Sequence, residues 1–222
     1  MSDQFLLVFN DNIISFGFFC YTILHMSKIF LFMMVSLDGY MEGPGHDLSW
    51  HHVDEEFNVF AAEQMREMGT ILFGRRTYQL MESFWPSKQG LEDDPVVAEL
   101  MNKTPKVVFS KTLEKVVETD VWKNIRLVKD NIAEEVGKLK NRQDLPAGRQ
   151  EKPIAVLGSN NFCVTLLELG LLDELRIMVN PVIIGKGTPL FAGIKSKLSL
   201  TLLKTRSFHN GNILLTYQPK TQ

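Results

Sequence analysis

From Ile29 to Val35 the chain is an unbroken apolar run, which predicts a strand buried on both faces. Its exit, residues 36–45, holds three glycines and a proline and reads as a loop. From Asp54 the apolar positions change rhythm. Phe57, Phe60, Ala61, Met65 and Met68 recur every three or four residues, so a helix is expected, with Asp54 as its cap and Gly69 closing it. Thr70 to Phe73 reads as a short buried strand. Gly74-Arg75-Arg76-Thr77 then opens a second helix through Phe84, which Pro86 ends. Further strands are expected at Lys106 to Phe109, Ile125 to Val128, Ile154 to Leu157 and Glu174 to Ile184. Helices follow near residues 131–140 and from Gly158-Ser159-Asn160-Asn161 to Gly170. The polar stretch 141–152 reads as an exposed connection. Leu198 to Phe208 and Ile213 to Gln218 flank Asn210-Gly211, a strong hairpin signal. Strands alternating with helices and ending on a hairpin predict an α/β, three-layer domain. Its central sheet would be mostly parallel, with an antiparallel C-terminal hairpin.

Residues 1–25 break this pattern. They contain no Lys or Arg, and their acids are Asp3 and Asp11. A signal peptide needs a basic start, where Asp3 stands here, and Asn10-Asp11-Asn12 interrupts the apolar run. Ile13 to Leu24 falls short of the about 20 apolar residues that span a bilayer. The segment is therefore read as an extension, spurious or poorly ordered, ahead of a domain over residues 26–222. A weak anchor or signal, or a genuine structural element, are the alternatives.

Charge and cysteine content narrow the chemistry. Lys plus Arg is 24 and Asp plus Glu is 26, a net charge of -2 that gives no footprint for generic nucleic-acid binding. The two cysteines, Cys20 and Cys163, lie in no C-x-x-C pair, which argues against a disulfide framework or a structural zinc site. No metal site is expected, and a cytoplasmic location is the default.

Three spots could carry chemistry. Gly74, Arg75, Arg76 and Thr77 stand where a strand enters a helix, a place that offers free N–H groups and a positive dipole end. Two arginines there can grip a phosphate by paired hydrogen bonds. Gly158, Ser159, Asn160 and Asn161 form a second such junction. Ser110 and Lys111, just past a strand end, could hold a third phosphate. Plain turns, caps and solvated side chains remain the alternative at each. Among the acids, Asp38 ends the first strand's run and Glu55 and Glu56 lie on the first helix behind Trp50. A carboxyl in an apolar pocket beside a Trp would have a raised pKa and could relay a proton. His51 and His52 are adjacent, which favours a loop over a metal pair.

These pieces, in order, carry a resemblance. Met34 to Tyr40, Leu72 to Tyr78, Val107 to Lys111, Val156 to Ser159, Leu171 to Leu175 and Pro181 to Phe191 match motifs of the dihydrofolate reductase-like superfamily. The chain is most similar to the reductase branch related to the C-terminal domain of the bifunctional riboflavin biosynthesis protein. The resemblance implies an NADPH-dependent oxidoreductase, and homodimers are common among such proteins. It implies that Gly74, Arg75, Arg76 and Thr77 meet cofactor phosphates and that Ser110 and Lys111 meet the 2′-phosphate. Gly158, Ser159, Asn160 and Asn161 would cradle the pyrophosphate. Asp38, or Glu55, would orient substrate or relay the proton, and Phe57 and Phe60 would form an apolar wall. The H-x-E and P-C-x-x-C signature of a deaminase half does not occur in this chain.

The expected function is thus hydride transfer from NADPH to a C=N or C=O bond of a small heteroaromatic substrate. A riboflavin-pathway reductase of a pyrimidinone ribityl phosphate and a non-catalytic NADP-binding module are the rivals. Small-molecule substrate, no nucleic acid and no membrane are the expected partners.

Overall fold

The computed structural model describes residues 27–141 and 152–220. The N-terminal extension and most of the expected connection at 141–152 lie outside the described residues. An eight-stranded sheet runs through the centre in the order β5-β4-β3-β6-β1-β7-β10-β9. Its strands are β1 (Ile29–Ser36), β3 (Thr70–Gly74), β4 (Lys106–Phe109), β5 (Ile125–Val128), β6 (Ile154–Val156), β7 (Glu174–Asn180), β9 (Leu200–Ser207) and β10 (Ile213–Pro219). From β5 to β7 every neighbouring pair is parallel, and β7-β10-β9 is antiparallel. The expected fold class is therefore the observed one.

Among the described residues six helices flank the sheet: α1 (Glu55–Glu67), α2 (Arg75–Phe84), α3 (Lys88–Asp93), α4 (Pro95–Lys103), α5 (Ile132–Lys140) and α6 (Asn160–Glu168). β1 shows why both faces are covered. Ile29, Leu31, Met33 and Val35 pack with α5 and α6 residues such as Val136, Phe162 and Leu166. Phe30 packs on the other side with Met65, Phe73 and Trp122, and Met34 joins Phe57 and Phe60 there. Eight consecutive residues that alternate between two apolar layers must all be apolar or small, which is the unbroken run seen in sequence.

Several boundaries differ from expectation. β7 stops at Asn180 and not at Ile184, because Pro181 has no N–H to continue the ladder. The loop after β1 contains a short strand, β2 (Tyr40–Glu42), which pairs with β8 (Thr188–Pro189). Helices α3 and α4 stand where no element was expected. Ser87 and Asp94 cap them, each accepting a hydrogen bond from a backbone N–H three residues on. Phe57 and Phe60 are 9% and 8% exposed and belong to the core under α1, so they do not make a cleft wall.

Candidate active site

The carboxyl ends of β3, β4, β5 and β6 meet around one cleft of about 210 Å³. In an open α/β sheet this is where ligands bind, because helix N-termini gather at the same edge. Six of the residues singled out in sequence line it: Gly74, Arg75, Ser110, Lys111, Ser159 and Asn161. The two junctions interlock. Gly74 N donates to Gly158 O at 2.7 Å, and a Cβ on Gly74 would overlap Ser159 Oγ. A Cβ on Gly158 would come within 2.5 Å of Thr77 Oγ1, and Gly158 has φ +119°, which L side chains rarely adopt. The glycines are thus required first by side chains of the facing junction, Ser159 Oγ against Gly74 and Thr77 Oγ1 against Gly158. Thr77 and Gly158 build the junction from behind, and Arg76 is exposed outside the cleft lining. Asn160 is also turned away. Its Nδ2 donates to Pro189 O at 2.8 Å and Leu190 O at 2.7 Å, which fastens α6 to the β8 segment.

The cleft has an apolar back and a cationic rim. Phe109 stacks on Phe162 with ring centroids 4.8 Å apart and planes 22° apart, and Val128 and Ile132 continue that wall. Lys129 joins Lys111 and Arg75 on the lining. Sequence reasoning missed Lys129, although it follows β5 much as Ser110 follows β4. The adjacency of the two strand ends makes it a site residue. Ser110 Oγ accepts hydrogen bonds from Thr112 N and Leu113 N, which tightens the turn and leaves its own hydrogen to donate.

Helix caps distinguish this edge of the sheet from the rest. Asp54, Ser87 and Asp94 cap α1, α3 and α4 with side-chain hydrogen bonds. The helices that begin at the cleft, α2, α5 and α6, have no such cap; they start after Gly74, Asn131 and Ser159. Arg75 and Ile132, the first residues of α2 and α5, line the cleft, as does Asn161 in the first turn of α6. Three uncapped N-termini and three cationic side chains therefore meet in one recess. That donor set suits an anion with several phosphates, and the apolar wall suits a flat ring.

The acidic candidates lie elsewhere. Asp38 accepts from Gly185 N at 2.8 Å and Ile184 N at 3.2 Å. The Ser36 hydroxyl and these amides hold its carboxyl below the usual carboxylate range, so Asp38 is an ionised clamp between two loops. Glu55 is exposed in the first turn of α1, with no hydrogen-bond partner among the described residues. The carboxyl of raised pKa beside Trp50 is not found. Glu56 instead accepts from His209 N and Nδ1, both at 2.8 Å, and these bonds hold it below its usual range. Trp50 meets His51 edge-on and donates Nε1 to Asp47 O at 3.0 Å. The two histidines part company, as a loop location implies. His52 ties the loop to Asn180 and to the hairpin through Asn210 and Asn212. His51 Nε2 is buried without a partner among the described residues, and burial pushes the ring down to about 4. No cluster of three metal-ligating side chains occurs among the described residues, and no helix there is long and apolar enough to cross a membrane.

Comparison with known proteins adds a family and a fold. Residues 27–214 match the family model described as the RibD C-terminal domain. The uncharacterized protein YyaP of Bacillus subtilis (strain 168) is 30% identical over 194 residues, 87% of this chain and 96% of that protein. A solved protein assigned to riboflavin biosynthesis from Shewanella sp. PV-4 superposes with a TM-score of 0.65 at 22% identity, over 87% of this chain and 99% of its own. Dihydrofolate reductase from Enterococcus faecalis, complexed with NADP(H), gives 0.57 at 12% identity over 87% and 97%. At these identities the two structures show a shared fold.

Proposed function

Because the chain belongs to the RibD C-terminal domain family, we propose that it is an NADPH-dependent reductase acting on a C=N or C=O bond of a small heteroaromatic substrate. The observation that carries this reading is the convergence of three uncapped helix N-termini with Arg75, Lys111 and Lys129 on one apolar-backed cleft. The residues fit the cofactor. The Phe109–Phe162 stack with Val128 and Ile132 would take the adenine. Ser110, Lys111 and Lys129 would hold the 2′-phosphate, and Arg75 with the first turn of α6 the pyrophosphate. When bound, NADPH supplies the hydride. The chain's own part is to grip, orient and exclude water. Gly74 leaves room for Ser159 Oγ and Gly158 for the Thr77 side chain, so the two junctions close on each other. Asp38 positions the 184–185 loop beside the end of β1, and Asp54 fixes the start of α1 by accepting from Phe57 N at 2.9 Å.

The family favours one specific substrate reading within this chemistry, a riboflavin-pathway pyrimidinone carrying a ribosylamino phosphate, which hydride transfer would convert to the ribityl phosphate. Calorimetric titration of the full chain with NADPH and NADH tests the cofactor assignment. Tight NADPH binding is expected, weakened about tenfold or more by Lys111→Ala, with NADH affected little. Absence of NADPH binding by the folded protein would sink the reading, and equal losses for both cofactors would remove the 2′-phosphate assignment. Oxidation of NADPH with the pyrimidinone phosphate but not with dihydrofolate would fix the substrate class. Cofactor binding without turnover on any substrate of a panel would leave a non-catalytic NADP-binding module.

A further inference from the structure

Reduction of a C=N or C=O bond takes a proton as well as a hydride, and the acids described so far do not offer one. Asp38 is held ionised by two backbone amides, and Glu55 is exposed without a partner among the described residues. The loop after β1 holds another group. Glu42, Gly43, Gly45, His46, Gly187 and Thr188 surround a cavity of about 320 Å³, within the range of small-ligand sites. Among the described residues, His46 is the only side chain on that lining that can carry a positive charge.

Glu42 fixes the histidine ring. Its Oε1 accepts from Thr188 Oγ1 at 2.7 Å, and its Oε2 meets His46 Nδ1 at 2.9 Å. Against a carboxylate Nδ1 carries the hydrogen, which leaves Nε2 as the nitrogen that takes up and releases a proton. Glu42 is pinned in turn, since a Cβ on Gly187 would come within 2.1 Å of Glu42 O. The neighbouring acid, Asp47, is turned to Ser49 N at 2.9 Å. His46 stands at φ +66°, directly after Gly45 at +71°. A residue other than glycine seldom adopts that conformation, and such departures gather at functional sites. The His46 side chain is 63% exposed against 17% for Glu42, so solvent reaches the ring but hardly the carboxylate.

The cavity adjoins the cofactor cleft. β2 follows the carboxyl end of β1, and its partner β8 is fastened to the start of α6 by the Asn160 bonds to Pro189 O and Leu190 O. Ser159 and Asn161, on either side of Asn160, line the cleft. Strand order supplies a direction. In the proposed function the adenine and 2′-phosphate lie at β4 and β5, and the pyrophosphate at β3 and β6. The next strand that way is β1, three spacings or about 14 Å from β4. The loop that carries His46 begins there.

Resting on that reading, we infer that His46 is the catalytic proton donor of the reduction and that Glu42 positions it. A substrate seated in the cavity accepts the hydride at the carbon of its C=N or C=O bond. The π pair moves onto nitrogen or oxygen, and the Nε2–H bond breaks to supply the proton there. The two electrons come from oxidation of NADPH to NADP⁺. The imidazolium is left as neutral imidazole, which water recharges from its exposed side.

Single-turnover oxidation of NADPH by the full chain tests this, with the pyrimidinone phosphate or the member of the panel that the parent turns over. His46→Gln is expected to lower the rate at least about 100-fold while NADPH affinity stays within about twofold of the parent's. His46→Gly suits a backbone at φ +66° and leaves room for a free ring, so added imidazole should raise its rate at least about tenfold. A second readout needs no turnover. With NADP⁺ in place of NADPH, the same substrate should shift the ¹⁵N resonance of His46 Nε2, and Glu42→Gln should shift that of Nδ1. A parent inert toward the whole panel fails the reductase reading and this inference with it. An active parent with His46→Gln within about threefold of its rate overturns the inference alone. So does a His46→Gly variant that imidazole leaves unrepaired, or an Nε2 resonance that substrate does not move.

Discussion

β4 carries a lysine at its start and another two residues past its end, and the two are used in opposite ways. Lys106 is 1% exposed. Its Nζ donates to Asn102 O, Thr104 O and Lys123 O at 2.8–3.1 Å and lies 4.3 Å from the Trp122 ring centre. Lys111 is exposed at the mouth of the cleft, with no partner among the described residues. The cause lies in the direction of the neighbouring helices. At the amino ends of the strands the last carbonyls of α4 converge, and a cation satisfies them. At the carboxyl ends helix N–H groups converge, and they attract anions together with any cation nearby. The same side chain is a helix cap at one edge of the sheet and a free cation on the cleft lining at the other, with no partner among the described residues.

The largest effect should come from Lys106→Met. It leaves the carbonyls of Asn102, Thr104 and Lys123 without their donor and is expected to lower stability by roughly 3 kcal/mol in urea unfolding. Lys111→Met is expected to leave stability within about 0.5 kcal/mol of the parent. Similar stability losses in the two variants would break the contrast.

Acidity separates the two ends further. Burial pushes Lys106 down to about 7, partly opposed by the charge of Glu118. Between pH 7 and 10 the unfolded chain then binds a proton that the folded chain has released, so this group makes stability rise with pH there. Burial and Glu82 raise the Tyr78 hydroxyl above its usual range, so stability it contributes is lost above about pH 10. Unfolding curves across this range should show the rise in the parent and in Lys111→Met, and lose it in Lys106→Met.

The smallest effect is expected at Asp38. Asp38→Asn keeps an acceptor for one of the two amides, Ile184 N and Gly185 N, so the rate of NADPH oxidation should fall less than about threefold with an unchanged pH profile. Loss of one limb of the profile would restore Asp38 as a proton donor.

How far these roles were legible depended on whether the reason was local. Buried strands, the Asp54 cap and both strand-to-helix junctions are written in neighbouring residues. Helices α3 and α4 were hidden because Gly90 and Pro95 look like breakers. Gly90 in fact sits where a Cβ would strike Phe84 O, and Pro95 occupies a first helical position. Lys129 needed the pairing of β4 with β5, and Asp38 needed a loop almost 150 residues away. The burial of Lys106 had no local sign, since a charge at the head of a strand ordinarily faces water.

The interlock of Gly74 with Ser159 and of Gly158 with Thr77 sets terms for redesign. These four positions behave as one part. A library that varies them singly would fill with misfits, because each new atom lands on a neighbour that has not yet moved. The tips of β4 and β5 are under no such constraint. On the proposed function, cofactor preference is therefore best retuned at Lys111 and Lys129, with the junction left as a fixed chassis.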